Sequence, residues 1–426
     1  MGISLLFISL FVFLLIGVPV AVSLGLASLI FIMVQGMPEM IVLHNMIGGV
    51  NSFPLIAVPC FILAGHLMNE AGITDKIFAF ARACVGWLHG GLGHVNIGAS
   101  VIFAGMSGAA VADAGGLGSI EIKAMRDAGY DDSFSVGVTA ASSTIGPIIP
   151  PSLPLIVYGV IADASIGQLF AAGILPGLMM ALSLMAMVAW YAKRNGYPKD
   201  GSFMLSRLYS TSIEAFLPLM TPVIIVGGIL FGIFTPTEAA IAAVAYSMFL
   251  GMAVYKTLTW RSLLKVSIDT VETTASILMI IAASAIFAWI LTANQVAQHF
   301  SDFLLGLSDN KIVLMLIITL LILFIGCFME TLAAITILVP VLLPVVVALD
   351  VSPVHFGIIL ILNLMLGLLT PPVGMVLYVL AKVANVPFER CVVATAPFLI
   401  PLVVVLLMLT FVPAFTLWLP SMIYLQ

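Results

Sequence analysis

Two short runs carry residue types suited to holding an ion with backbone and hydroxyl oxygens. Ile145-Gly-Pro-Ile-Ile-Pro-Pro-Ser152 aligns with Leu366-Gly-Leu-Leu-Thr-Pro-Pro-Val373. Gly105, Gly146, Pro150 and Pro151 recur as Gly326, Gly367, Pro371 and Pro372, every pair at one offset (326 − 105 = 221). Upstream of each run lies a small-residue tip. The first reads Phe103-Ala-Gly-Met-Ser-Gly-Ala-Ala-Val-Ala-Asp113 and the second Ile325-Gly-Cys-Phe-Met-Glu-Thr331. Where a helix breaks, its N-terminus suits an anion and its freed carbonyls suit a cation. Each tip is expected to face the break of its own repeat, Ser142-Ser143-Thr144-Ile145-Gly146 or Asn363 to Thr370. One candidate Na⁺ site then comprises Gly105, Ser107, Gly108, Ser142, Ser143, Ile145 and Gly146. The other comprises Gly326, Glu330, Thr331, Gly367 and Thr370. The competing reading is tight helix packing through small residues.

Three acids stand in apolar surroundings. Asp113 and Glu330 lie at the tips, and Glu238 opens a span in Phe234-Thr-Pro-Thr-Glu238. Each is a candidate to bind a cation or proton, hold a tip or pair with substrate. For Glu238 the plainer role is helix capping with Thr235 or Thr237. His66, His89 and His94 sit near span ends and read as polar interface residues.

These residues are positioned by a membrane-spanning chain. Of 426 residues, 62% are hydrophobic and 8% charged, against about 25% charged in a soluble domain. A span takes about 20 apolar residues, and single spans are expected at 3–33, 52–70, 168–192, 214–232, 236–255, 270–293 and 394–418. Apolar regions interrupted by Gly, Pro and Ser lie at 90–127, 133–163, 311–348 and 355–384. Such breaks survive in a membrane where protein buries them or a watery cavity meets them. We read 90–127 and 311–348 as re-entrant hairpins, and 133–163 and 355–384 as broken helices. With cytoplasmic loops rich in Lys and Arg, this scheme leaves thirteen of the fourteen basic residues inside and only Lys311 outside. The N-terminus is then cytoplasmic and the C-terminus periplasmic. The first hairpin opens from the cytoplasm and the second from outside. The expected fold is all-α and polytopic, with two inverted repeats, 1–192 and 233–426, joined by a cytoplasmic loop and helix, 193–232. Inverted repeats with broken helices are characteristic of secondary transporters.

Other chemistries find little support. There is no GxxxxGK[ST], HExxH or GxSxG sequence, so ATP hydrolysis, zinc proteolysis and serine hydrolysis lack their machinery. Cys60, Cys84, Cys327 and Cys391 are scattered and form no CxxC pair, so neither a disulfide frame nor a zinc site is implied. The net charge of −5 and the lack of a basic aromatic patch argue against nucleic acid.

At these motifs the chain resembles the large membrane subunit of tripartite ATP-independent periplasmic (TRAP) transporters. The matching segments are Gly105-Met-Ser-Gly-Ala-Ala-Val-Ala-Asp113, Gly129-Tyr130, Thr144-Ile-Gly-Pro-Ile-Ile-Pro-Pro-Ser152, Ala172-Gly-Ile-Leu-Pro-Gly177, Phe234-Thr-Pro-Thr-Glu-Ala-Ala240, His355-Phe-Gly357 and Gly367-Leu-Leu-Thr-Pro-Pro-Val-Gly374. Glu330 departs from the pattern, since family members commonly carry Asp there. The resemblance implies an elevator-type scaffold of the ion-transporter-superfamily kind, Na⁺ coupling, and organic-acid substrates such as sialic acids or C4-dicarboxylates. It implies two partners, a periplasmic substrate-binding protein and a small four-helix membrane subunit, in a bacterial inner membrane. Gly118-Ser-Ile-Glu-Ile-Lys-Ala-Met125 is similar to the sialic-acid members. The substrate candidates are Asp113, Ser107, Asn363, Pro150 and Pro371, with no Arg in the expected core to clamp a carboxylate bidentately. The rival readings are a binding-protein-independent Na⁺/carboxylate symporter, an ion channel and an intramembrane enzyme.

Overall fold

A computed structural model describes residues 2–308 and 310–424, apart from the side chains of Ser107 and Leu305. Among these residues the chain is helical, with a single isolated β-bridge between His89 and Lys199. Seven helices are long and apolar enough to cross a membrane: Phe53–Glu70, Ile166–Asn195, Leu205–Leu230, Pro236–Val254, Trp260–Ala293, Thr331–Ala348 and Phe388–Phe411.

The remaining apolar helices are too short to cross. At about 1.5 Å per residue, the 17 residues of Gly91–Ser107 reach about 25 Å, short of a hydrocarbon core of about 30 Å. Gly108 stops this helix in the left-handed region, φ 60°. A Cβ there would lie 2.5 Å from the Pro151 carbonyl oxygen, so glycine is required for both conformation and space. The chain returns through Ala110–Gly115 and Leu117–Asp127. Asp132–Ser143 follows, then an irregular stretch, then Leu153–Ile161. The same order recurs later as Lys311–Gly326, Thr331–Ala348, Pro353–Gly367 and Met375–Ala384. Pro150-Pro151 and Pro371-Pro372 are both cis. A long helix follows each set, Ile166–Asn195 and Phe388–Phe411.

The two sets interlock. Phe388–Phe411 packs on Asp132–Ser143, and Ile166–Asn195 packs on Pro353–Gly367. Contact is close because small residues sit at the crossings. A Cβ on Gly137 would lie 2.3 Å from the Ala394 carbonyl oxygen, and one on Gly357 would lie 2.5 Å from the Tyr158 ring. The Tyr158 hydroxyl donates to the Pro353 carbonyl at 2.6 Å. One continuous apolar core runs through both sets.

The N-terminal segment departs from the expected single span over 3–33. It is two helices, Gly2–Leu15 and Val20–Val34, split at Gly17 (φ 87°) and Pro19. Proline disfavours the helical conformation in the residue before it, and glycine supplies the turn. The two helices fold back on each other, and a second apolar core joins them to Trp260–Ala293. Phe7 meets Phe287 edge-on at 6.0 Å, while Val20 lies with Ile277 around the cavity described below. A folded-back pair adds no net crossing. Near the C-terminus, the apolar run expected over 394–418 breaks at Pro413, and Ala414–Tyr424 packs instead on Ile166–Asn195. Apolar stretches of span length also left unseen the helices Met40–Val50, Ile73–Val85 and Val296–Leu307.

Polar contacts gather the basic loops. Arg82 makes a two-pronged ion pair with Asp200. Arg126 bonds Asp132 at 2.6 Å and the Ala384 carbonyl at 2.5 Å. The base of the first hairpin thus meets the end of the second broken helix.

Candidate functional site

Each tip crosses the break of its own set. In the first crossing, Gly108 lies against Pro151 to Leu153, and a Cβ on Gly146 would sit 3.8 Å from the Ala109 nitrogen. Gly105 instead faces Pro222: a Cβ there would lie 2.6 Å from the Pro222 ring and 3.9 Å from the Pro150 carbonyl oxygen. In the second crossing the two backbones touch. A Cβ on Gly367 would lie 2.4 Å from the Gly326 carbonyl carbon. Val373 N–H donates to the Cys327 carbonyl at 3.2 Å, tying tip to break.

The hydroxyls expected to bind an ion are mostly engaged. Ser142 donates to Asn96 Oδ1 at 2.6 Å. Asn96 Nδ2 donates to Thr139 at 2.7 Å, and all three residues are buried. Ser143 donates to the Ala140 carbonyl at 2.8 Å, and Thr370 to the Leu366 carbonyl at 2.5 Å. The Ile145 carbonyl already accepts from Ile148 and Ile149, both at 3.0 Å. For these groups to ligate an ion, a local bond must be exchanged. The Ser107 side chain lies outside the described residues.

Glu330 caps Thr331–Ala348, accepting from Leu332 N at 2.9 Å and Ala333 N at 3.1 Å. A carboxylate at this position satisfies two of the helix's free amides and complements its dipole. Among the described residues the buried Thr331 hydroxyl has no hydrogen-bond partner. Glu238 forms a capping box with Thr235 on an exposed turn, the plainer of its two expected roles.

Between the crossings lies a cavity of 830 Å³. Its walls come from both tips (Ala109, Glu330, Thr331), both broken helices (Pro147, Met365) and the facing helices (Val20, Thr273, Ser276). The expected substrate residues are placed differently. Asp113, Asn363 and Pro150 are buried and Pro371 is exposed, and none of the four lines this cavity. Asn363 has neither amide atom paired. Sequence reasoning missed Asn96, whose signal was a lone amide in an apolar hairpin limb. It also missed Thr273 and Ser276, which lie mid-span with no motif around them.

Helical layers, paired interrupted helices and a central cavity define a polytopic membrane transporter. Residues 7–415 match the family described as "Tripartite ATP-independent periplasmic transporter, DctM component", and the chain belongs to that family. It is 48% identical to the sialic acid TRAP transporter large permease protein SiaM of Vibrio cholerae, over 95% of each chain. It is 43% identical to the sialic acid TRAP transporter permease protein SiaT of Haemophilus influenzae, covering 99% of this chain and 69% of that one. Identity to the C4-dicarboxylate TRAP transporter large permease protein DctM of Rhodobacter capsulatus is 34%, over 96% of each. The fold resembles that of the Alcanivorax borkumensis YdaH transporter, with a TM-score of 0.58 at 15% identity, over 88% of this chain and 87% of that one. The chain is therefore a multi-pass inner-membrane permease that works with a periplasmic binding protein and a small membrane subunit.

Proposed function

We propose that this permease imports sialic acid, delivered by its binding protein, by an elevator movement driven by Na⁺. The observation that carries the transport reading is the cavity walled by both tip crossings and by the helices that face them. The substrate reading rests on 48% identity to the sialic acid permease of V. cholerae against 34% to the C4-dicarboxylate permease of R. capsulatus. Na⁺ binds at the two crossings, where Gly105, Gly108, Gly146 and Gly326, Gly367 bring backbone oxygens close, with Ser107 and Thr331 as further hydroxyl ligands and with Ser142 and Thr370 exchanging their local bonds for the ion. The small membrane subunit has four helices. Neutralised sites cross apolar surface more cheaply than bare charge, so the loaded domain moves and the empty, charged one does not.

The repeats 1–192 and 233–426 are inverted in the membrane, with the basic loops inside. Arg82–Asp200 and Arg126–Ala384 support that arrangement by joining distant basic segments at one end. In this scheme we assign the Gly2 end of the folded-back N-terminal pair to the periplasmic side, where one crossing would have put it in the cytoplasm; the reading is supported by Phe7 meeting Phe287 toward the Ala293 end of Trp260–Ala293.

The test is uptake of labelled sialic acid and of succinate into proteoliposomes holding this chain and its small partner. Uptake of sialic acid that needs both an inward Na⁺ gradient and the binding protein is expected. Succinate uptake alone would overturn the substrate. Uptake without the binding protein would favour a simple symporter. Folded Ser107 and Thr370 variants with unchanged Na⁺ dependence would remove the assigned ion sites.

A further inference from the structure

The limb of the first hairpin that returns from the tip buries two carboxylic acids. Asp113 is 2% exposed and Glu121 is 1% exposed. The short helices that carry them, Ala110–Gly115 and Leu117–Asp127, pack on each other and on the same three neighbouring helices. The Ser100 hydroxyl approaches the Asp113 carboxyl, but among the described residues Asp113 Oδ2 and both Glu121 oxygens have no hydrogen-bond partner. The surroundings are tight and apolar. A Cβ on Gly118, between them in sequence, would lie 2.8 Å from the Thr139 methyl and 3.7 Å from Leu380.

Among the described residues no cation is paired with either acid. The limb packs on Gly91–Ser107, Asp132–Ser143 and Met375–Ala384. On those elements, His94 is buried in the first turn of Gly91–Ser107, Lys382 is exposed, and Tyr378 is exposed and stacked on Phe388 at 4.3 Å. Asp132 is held by Arg126, which also spends itself on the Ala384 carbonyl. On the limb itself, Lys123 and Asp127 are exposed. Ionisation of both of two buried carboxylates on one packed limb is opposed by desolvation and mutual repulsion together. A proton neutralises a carboxylate in place and needs no ring of ligands.

We propose that Asp113 and Glu121 form a proton-binding site inside the first hairpin, apart from the two tip crossings, and that the limb stays packed only while the pair holds at least one proton. On deprotonation the second carboxylate becomes an unpaired buried charge, and the limb must open to hydrate it.

The test uses the chain with its small membrane subunit in lipid nanodiscs, followed by infrared difference spectroscopy against pH. This readout needs no substrate, so its failure is separable from failure of the transport reading. A protonated-carboxyl carbonyl band at neutral pH is expected, diminished in Glu121→Gln or Asp113→Asn and titrating away in alkali. Absence of that band, or a band left intact by both substitutions, overturns the site, and so does loss of the band on adding Na⁺ alone at fixed pH. In proteoliposomes, uptake of labelled sialic acid should fall several-fold from neutral to alkaline pH. Glu121→Gln, fixed in the neutral form, should keep its neutral-pH rate and lose that fall. A variant that follows the wild-type curve overturns the proposal. Should Glu121→Gln fail to fold, the band of the unsubstituted protein and its change in Asp113→Asn still decide the matter.

Discussion

The two tip crossings use the same glycines and differ in what closes them. The first is closed by side chains. Asn96 bridges Ser142 and Thr139, and at the break a Cβ added to Gly146 would meet nothing closer than 3.5 Å, although Gly108 at the tip abuts the Pro151 carbonyl. The second is closed by backbone on backbone. Gly367 abuts Gly326, Asn363 has no partner at the position where the first set has Ser142, and a carboxylate caps the returning helix. A polar network distributes strain over several bonds, whereas a glycine contact has no give, since backbone cannot change rotamer. The second crossing should therefore be the less tolerant of added volume and the more responsive to a bound ion.

Equivalent glycine substitutions should split the two most sharply. Gly367→Ala drives a methyl into backbone that cannot move aside, costing about 3 kcal/mol at the upper end of overpacking. Thermal unfolding in detergent should show a large drop, with Na⁺-driven uptake lost. Gly146→Ala meets nothing closer than 3.5 Å and should unfold near the wild-type temperature. Equal losses in the two variants would erase the distinction.

Asparagine substitutions come next. Asn96→Ala removes two buried hydrogen bonds and leaves the Ser142 and Thr139 hydroxyls only their backbone acceptors, Thr139 and Ser135, and should cost about 1–3 kcal/mol in the same unfolding measurement. Asn363→Leu removes two unpaired buried atoms and should be neutral or stabilising. If instead its half-saturating Na⁺ concentration rises, Asn363 is a ligand, and the second crossing is closed by the ion.

Glu330→Ala removes a cap worth about 1 kcal/mol and should raise the Na⁺ concentration needed for half-maximal uptake. Glu330→Asp should restore much of both. The smallest effect belongs to Glu238→Ala on its exposed capping box. A slight loss of thermal stability with unchanged Na⁺ dependence is expected there, and a change in Na⁺ dependence would give this residue the functional role its capping geometry denies it.

What the sequence determined on its own follows from local chemistry and from repetition. Composition alone forces a membrane solvent, and twenty-residue apolar lengths set most spans. Gly108 and the Pro-Pro pairs mark breaks because glycine and proline restrict backbone conformation wherever they stand. The recurrence at one offset predicted which tip meets which break. The turn at Gly17 and Pro19 was written in the same alphabet but hidden by unbroken hydrophobicity, since lipid-facing helices and a folded-back pair have the same composition. Only tertiary structure decided which polar groups are free. Ser142 and Thr370 look equally available as residues, yet each spends its hydroxyl on a neighbour. Asp113 and Glu121 look like ordinary acids eight positions apart, yet packing strips both of water together. Whether a buried oxygen can bind anything depends on its partners, and partners are set by segments far away in the chain.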